Sequence, residues 1–191
     1  VSWSKEKGIT LVVDESFVDF AEDEDSSLID QSILSSNRHL FVMKSISKSY
    51  GVPGLRLGVL ASGDVEAIKA IKKSVSIWNI NSFAEFYLQI EEKYHKDYLA
   101  SLTRIKEERK RFFSKLSSIE GLRTIPSEAN YIMVEITNGK KATEVTKRLL
   151  SGYGILIKDL SAKIKGGEYL RLAVRDTKDN DKLIDALSNV L

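Results

Sequence analysis

The stretch Phe41-Val42-Met43-Lys44-Ser45-Ile46-Ser47-Lys48-Ser49-Tyr50-Gly51-Val52-Pro53-Gly54-Leu55-Arg56-Leu57-Gly58 leaves this chain few ways to fold. A β-prone apolar start, Phe41 to Met43, gives way to hydroxyls, a lysine, a glycine-proline-glycine turn and an arginine. A second apolar run follows from Leu57 to Ala61. Lys48 therefore stands where a strand ends. In open α/β sheets such ends line the ligand crevice, which predicts a chemical role for this lysine. Ser45 and Ser47 place two hydroxyl donors beside it, and Arg56 adds a planar fork suited to a phosphate. That set of groups suits a phosphorylated carbonyl cofactor held by an imine to lysine.

The rest of the chain reads as a scaffold for that stretch. Ser2 to Lys7 ends at Gly8, and Ile9 to Val13 is a continuous apolar run, the pattern of a strand covered on both faces, with Asp14 and Glu15 at its exit. Ala21 to Ser27, carrying Glu22, Asp23, Glu24 and Asp25, is a solvated acidic loop, and Ser26 is placed to cap a short helix over 28–34. Gly63 and Asp64 form a turn and N-cap before Val65, Ile68, Ile71 and Val75, which recur at helical spacing. Ser82-Phe83-Ala84-Glu85 fits a capping box opening a long amphipathic helix to about Ile119. A coiled-coil module is the rival there, but Arg109 interrupts the stripe and aromatics stand where a two-stranded seam prefers aliphatics.

From Leu122 the elements become short. Strands are expected over 131–136, 155–157 and 169–174, and helices over 142–150 and 180–190, the last capped by Asp176 or Thr177. They imply a small α/β domain with a mixed or antiparallel sheet. His39 and His95 read as surface or packing residues.

With 191 residues, 42% of them hydrophobic, the chain can bury one core or two small ones. Its formal net charge of +2 and the lack of basic blocks argue against nucleic acid as a partner. Absence of cysteine excludes disulfides and thiolate metal sites, and no metal site is expected from the contiguous acids. No apolar run is long enough to cross a bilayer, so the expected location is the cytoplasm, away from membranes.

Ser45-x-Ser47-Lys48-x-x-Gly51-x-Pro53-Gly54-Leu55-Arg56-x-Gly58 resembles the lysine segment of fold-type I pyridoxal-phosphate enzymes of the class I/II aminotransferase group. Val12-Val13-Asp14-Glu15-Ser16-Phe17-Val18-Asp19-Phe20 is similar to that family's strand carrying the pyridine-nitrogen aspartate. Ile77-Trp78-Asn79-Ile80-Asn81 and Pro126-Ser127-x-x-Asn130-Tyr131 are similar to its histidinol-phosphate aminotransferase branch, and Tyr169-Leu170-Arg171-Leu172-Ala173-Val174-Arg175 to its substrate-carboxylate strand. Phe17 departs from the tyrosine of most transaminases of the group. It and the Ala173-Val174-Arg175 ending resemble the threonine-phosphate decarboxylases.

The resemblance implies the C-terminal portion of such an enzyme, inactive by itself. Residues 1–105 would be the end of a mainly parallel three-layer α/β/α large domain and 106–191 a small α/β domain, linked by the long helix. It implies pyridoxal 5'-phosphate as cofactor and a homodimer with shared active sites, the loop 77–81 approaching the neighbouring subunit. Lys48 and Asp14 would be catalytic. Asp14, Phe17, Ser45, Ser47, Lys48 and Arg56 would bind the cofactor, and Arg171 and Asn130 an amino-acid or phosphorylated amino-acid-like substrate. Glu15 is expected to be structural.

Transamination and decarboxylation both stay open, because they differ in which substrate bond stands perpendicular to the cofactor ring. A dimerisation or regulatory domain without activity is a third reading. Ser45-x-x-Lys48 also matches the serine-lysine pattern of penicillin-recognising acyl transferases, but Ser-Asp-Asn and Lys-Thr-Gly are absent, and in that pattern the serine should open a helix rather than end a strand.

Overall fold

A computed structural model describes residues 1–23 and 25–191; Glu24 of the acidic loop lies outside the described residues. The chain divides into two compact units, residues 1–100 and 101–191. The division falls inside the long helix, five residues before the expected boundary at 105.

In the first unit α1 (Ser2–Glu6) leads into β1 (Leu11–Asp14), α2 (Gln31–Ser36), β2 (Leu40–Ser45) and α3 (Ile46–Ser49), then β3 (Gly58–Ser62) and α4 (Val65–Ser74). β2 is the central strand. It runs parallel to β1, with Leu11 opposite Leu40 and Asp14 opposite Met43, and antiparallel to β3, with Ser45 opposite Gly58. One of the two pairings is thus parallel where a mainly parallel sheet was expected. Leu40 and Val42 on β2 are fully buried together with Phe20.

The expectation that β1 is covered on both faces is overturned. Val12 is 55% exposed while Leu11 and Val13 are half-buried, because β1 is an edge strand covered on one side. The apolar stripe of α4 is likewise open, with Val65 57% exposed.

Local capping chemistry sets the helix starts. Asp30, not Ser26, caps α2, its carboxylate accepting the N–H groups of Ser32 and Ile33 at 2.8 and 3.0 Å. Asp64 caps α4 through Ala67 N–H at 3.1 Å, as the sequence predicts. Gly63 is required beside it, since a Cβ there would meet the Leu34 carbonyl oxygen at 2.0 Å.

The long helix α5 (Ser82–Ser117) follows. Its start is held by Asn81 rather than by a Ser82 capping box. Asn81 Oδ1 accepts Ala84 N–H at 3.0 Å, and its Nδ2 donates to the Leu55 carbonyl at 3.1 Å.

The second unit continues with β4 (Leu122–Ile125), β5 (Tyr131–Ile136), α6 (Ala142–Tyr153), β6 (Lys158–Asp159), β7 (Glu168–Ala173) and α7 (Thr177–Val190). The four strands are ordered β4-β5-β7-β6 and every pairing is antiparallel. The strand expected over 155–157 forms instead at Lys158–Asp159, leaving Ile155 and Ile157 packed against the core. α7 starts three residues earlier than expected because Asp176 takes the N–H of Asp179 at 2.8 Å.

Alternation along β5 buries Ile132, Val134 and Ile136, and along β7 it buries Leu170 and Leu172. This face packs against Phe112 and Leu116 of α5, Val145 and Leu149 of α6 and Leu187 of α7. Arg109, the break in the α5 stripe, is buried at 3% exposure and donates from Nη1 to the Ala129 carbonyl at 3.1 Å. Among the described residues no helix is long and apolar enough to cross a membrane.

Candidate active site

The parallel pairing of β1 and β2 brings two strand exits to one edge of the sheet. Asp14 ends β1 and Ser45 ends β2, and Glu15 N–H continues the ladder to the Met43 carbonyl at 2.7 Å. Directly beyond Ser45, the single turn of α3 carries Ser47, Lys48 and Ser49. Ser45 is therefore both the last residue of β2 and the N-cap position of α3, so the argument that it ends a strand rather than opening a helix does not hold. The missing companion motifs still separate this segment from the penicillin-recognising pattern.

The acid and the lysine sense each other across this edge. Asp14 is held below the ordinary carboxylate range, first by the hydrogen bonds from the Ser16 hydroxyl and backbone N–H, with the Lys48 ammonium adding a weaker pull against the cost of burial. Asp14 Oδ1 accepts Ser16 N–H at 2.9 Å and also the Ser16 hydroxyl. Lys48 is exposed, and its Nζ stands over the ring of Phe17, 4.9 Å from the centroid.

Neighbouring groups are fixed by other partners. Glu15, 6% exposed, accepts the Ser27 hydroxyl at 2.8 Å and Leu28 N–H at 2.6 Å, the structural role expected of it. Asp19 and Lys44 pair at 2.5 Å. Ser47 is turned inward, 4% exposed, and donates to the Leu57 carbonyl at 3.3 Å. Arg56 is exposed and donates from Nη1 to the Pro53 carbonyl at 3.2 Å. Among the described residues it is the one non-glycine at positive φ, 58°, a conformation that costs an arginine energy and recurs at ligand-binding segments.

Arg171 and Asn130 belong to the second unit. Arg171 lies on the outward face of β7, its guanidinium carbon 5.0 Å from the centroid of the Tyr131 ring. It lines an open concavity of about 780 Å³ together with Lys158, Asp159, Ala173, Arg175 and Asp179. Asn130 accepts Val174 N–H through its carbonyl at 2.9 Å, which joins the two stretches on adjacent strands. His39 contacts Ser4; His95 contacts Glu91 and the ring of Tyr98, which stacks on Tyr50 of the lysine segment at 4.0 Å.

Sequence reading passed over Ser16 and the Asp19–Lys44 pair. A hydroxyl two residues after a strand-end aspartate is the signal for the first, because such a residue closes a local turn onto the carboxylate. The second pairs residues 25 positions apart and carries no local signal.

These residues suit a cofactor that is both a carbonyl and a phosphate ester: an amine, an anionic carboxylate whose Oδ2 accepts no hydrogen bond among the described residues, and an exposed guanidinium. The family model described as "Aminotransferase class I and II" matches residues 1–187. The chain is 34% identical over 185 residues to CMP-5'-(3-aminopropyl)phosphonate synthase of Streptomyces rubellomurinus, covering 96% of this chain and 29% of that protein. It is 31% identical over 189 residues to the threonine-phosphate decarboxylase of Salmonella typhimurium, covering 98% and 50%. Among solved structures, the histidinol-phosphate aminotransferase of Clostridium acetobutylicum superposes with a TM-score of 0.89 at 30% identity, covering 99% of this chain and 56% of that one. The chain thus spans about half the length, or less, of the relatives it matches.

Proposed function

The chain belongs to the class I and II aminotransferase family, which depends on pyridoxal phosphate, and on that premise we propose that the protein is an aminotransferase acting on an amino compound that carries a phosphate or phosphonate. The observation that carries this reading is the parallel β1–β2 pairing, which sets Asp14 at the exit of β1 beside the exit of β2 from which the turn carrying Lys48 continues. The names of all three relatives above include a phosphate or phosphonate group, which supports the substrate class.

Pyridoxal phosphate, when bound, supplies an electron sink for the pair left when a bond to the substrate's α-carbon breaks. In this reading the Asp14 carboxylate keeps a proton on the ring nitrogen by placing a negative charge beside it. Lys48 is the residue that would hold the cofactor at its carbonyl carbon, and its amine is the group that would move a proton at the substrate's α-carbon. Ser45 and Arg56 would bind the cofactor phosphate and Phe17 would lie against the ring, while Ser47, expected beside them, is turned inward to the Leu57 carbonyl and supports the turn instead. Arg171 grips the substrate's anionic group as a fork, assisted by Asn130.

Residues 1–105 form the end of a three-layer cofactor domain and 106–191 the small domain in this proposal. A second copy of the protein completes the site. The loop carrying Ile77 and Trp78, 92% and 89% exposed, supports that reading, since large apolar side chains on a loop tip are suited to meeting a partner.

Phe17 favours a second reading. It lacks the hydroxyl found in most transaminases of the group, and the threonine-phosphate decarboxylase match covers nearly the whole chain. Decarboxylation of a phosphorylated amino acid would use the same residues with a different bond held perpendicular to the ring. Incubating the cofactor-loaded protein with threonine phosphate and with histidinol phosphate separates the two. A carbonyl product supports transamination, carbon dioxide supports decarboxylation, and neither product with either substrate overturns both.

A further inference from the structure

The Asp14 carboxylate is gripped on one oxygen only. Oδ1 accepts both the backbone N–H and the hydroxyl of Ser16, and Oδ2 accepts no hydrogen bond among the described residues. Ser16 is itself fixed, being 7% exposed. Its Oγ accepts the N–H of Ser45 at 3.3 Å. A hydroxyl has one proton to donate. With Ser45 N–H occupying an acceptor position on Oγ, that proton goes to Asp14. A continuous relay therefore runs from the end of β2, three residues before Lys48, through Ser16 to the end of β1.

We propose that Ser16 is a positioning residue: it consumes Oδ1, leaves Oδ2 as the oxygen presented to the cofactor ring nitrogen, and ties the acid to the lysine segment through Ser45. The inference rests on the proposed role of Asp14. A turn that merely shaped the backbone would need only the Ser16 N–H, which any residue but proline supplies. The hydroxyl adds a second bond to the same oxygen, and a carboxylate held by two donors on one oxygen has its rotation fixed as well as its charge favoured.

The test compares the parent protein with Ser16→Ala and Ser16→Thr. Carboxyl-carbon NMR of Asp14 without cofactor should give a titration midpoint below the ordinary aspartate value of 3.8 in the parent. The alanine variant should titrate higher, and threonine, which keeps the hydroxyl, should restore the parent midpoint. With cofactor labelled at the ring nitrogen, the alanine variant should lose ring protonation at lower pH than the parent. Its kcat should fall about tenfold with KM within about twofold, and threonine should rescue it.

Equal midpoints in the parent and alanine proteins, or a threonine variant as impaired as alanine, would overturn the proposal. If the alanine variant does not fold, an Asp14 midpoint at or above 3.8 in the parent overturns it instead. A ring-nitrogen signal unmoved by Asp14→Asn would sink the reading of Asp14 while leaving the Ser16 titration link intact, so the two failures are distinguishable.

Discussion

Lys48 Nζ stands 4.9 Å from the centroid of the Phe17 ring, so the ammonium lies over an aromatic face that carries no hydroxyl. Phe17→Tyr would add a hydroxyl donor next to the cofactor's phenolic oxygen. Such a donor favours the ionised form, and the visible band of the loaded protein should change at a pH lower by about half a unit to one unit. Phe17→Leu should leave that midpoint in place. Absorbance titrations of the three proteins check the prediction, and an unmoved midpoint in the tyrosine variant contradicts it.

On the proposed reading, Lys48→Ala removes the amine that would hold the cofactor carbonyl. Adding pyridoxal phosphate should then produce no lysine-dependent visible band, and turnover should fall by about 10²–10⁴ or more, the usual range for loss of a positioned acid–base group. Visible spectra and a product assay decide it; a band like the parent's refutes the assignment.

Glu108 gives the second unit a pH dependence of its own. Its carboxylate accepts Arg111 at 2.7 and 2.9 Å, Asn180 at 2.8 Å and Thr177 at 2.9 Å, and the Arg111 hydrogen bonds in particular hold its pKa below the ordinary 4.5. A carboxyl whose folded pKa is depressed stabilises the fold fully above 4.5 and loses that contribution as pH falls through 4.5 towards its lower folded value. Glu108→Gln should cost about 1–2 kcal/mol at pH 7 and progressively less in acid. Urea midpoints of parent and variant should converge as pH falls below 4.5 and the carboxyl protonates. A gap that stays constant with pH would exclude this ionisation as the cause.

Two phenylalanines on α5 should behave oppositely. Phe112 is fully buried in the second unit, whereas Phe83 is 78% exposed. Phe112→Ala should destabilise by about 3–5 kcal/mol, combining lost burial with a cavity. Phe83→Ala should stay within about 0.5 kcal/mol in this chain. Chemical denaturation measures both; a large cost at Phe83 would show that something in the chain covers it.

Element order apart from α3 and β4, the lysine behind a strand, the Asp64 cap and the inward faces of β5 and β7 were legible in the sequence. Each depends on neighbours within a few residues, through side-chain period, turn chemistry or the reach of a carboxylate to the next turn. Tertiary structure alone decided the rest. Asn81 displaces Ser82 at the start of α5 while its amide also reaches the Leu55 carbonyl, a partner 26 residues away. Val12 lies open because burial depends on what stacks on the sheet, and no strand encodes that by itself. Arg56 takes a left-handed backbone and Ser47 turns to Leu57 because the chain between β2 and β3 closes onto itself. Even the meeting of Asp14 with Lys48 required β1 to pair in parallel with β2, bringing residues 34 positions apart to one sheet edge, since strand pairing is chosen by non-local packing and not by the local pattern that forms each strand.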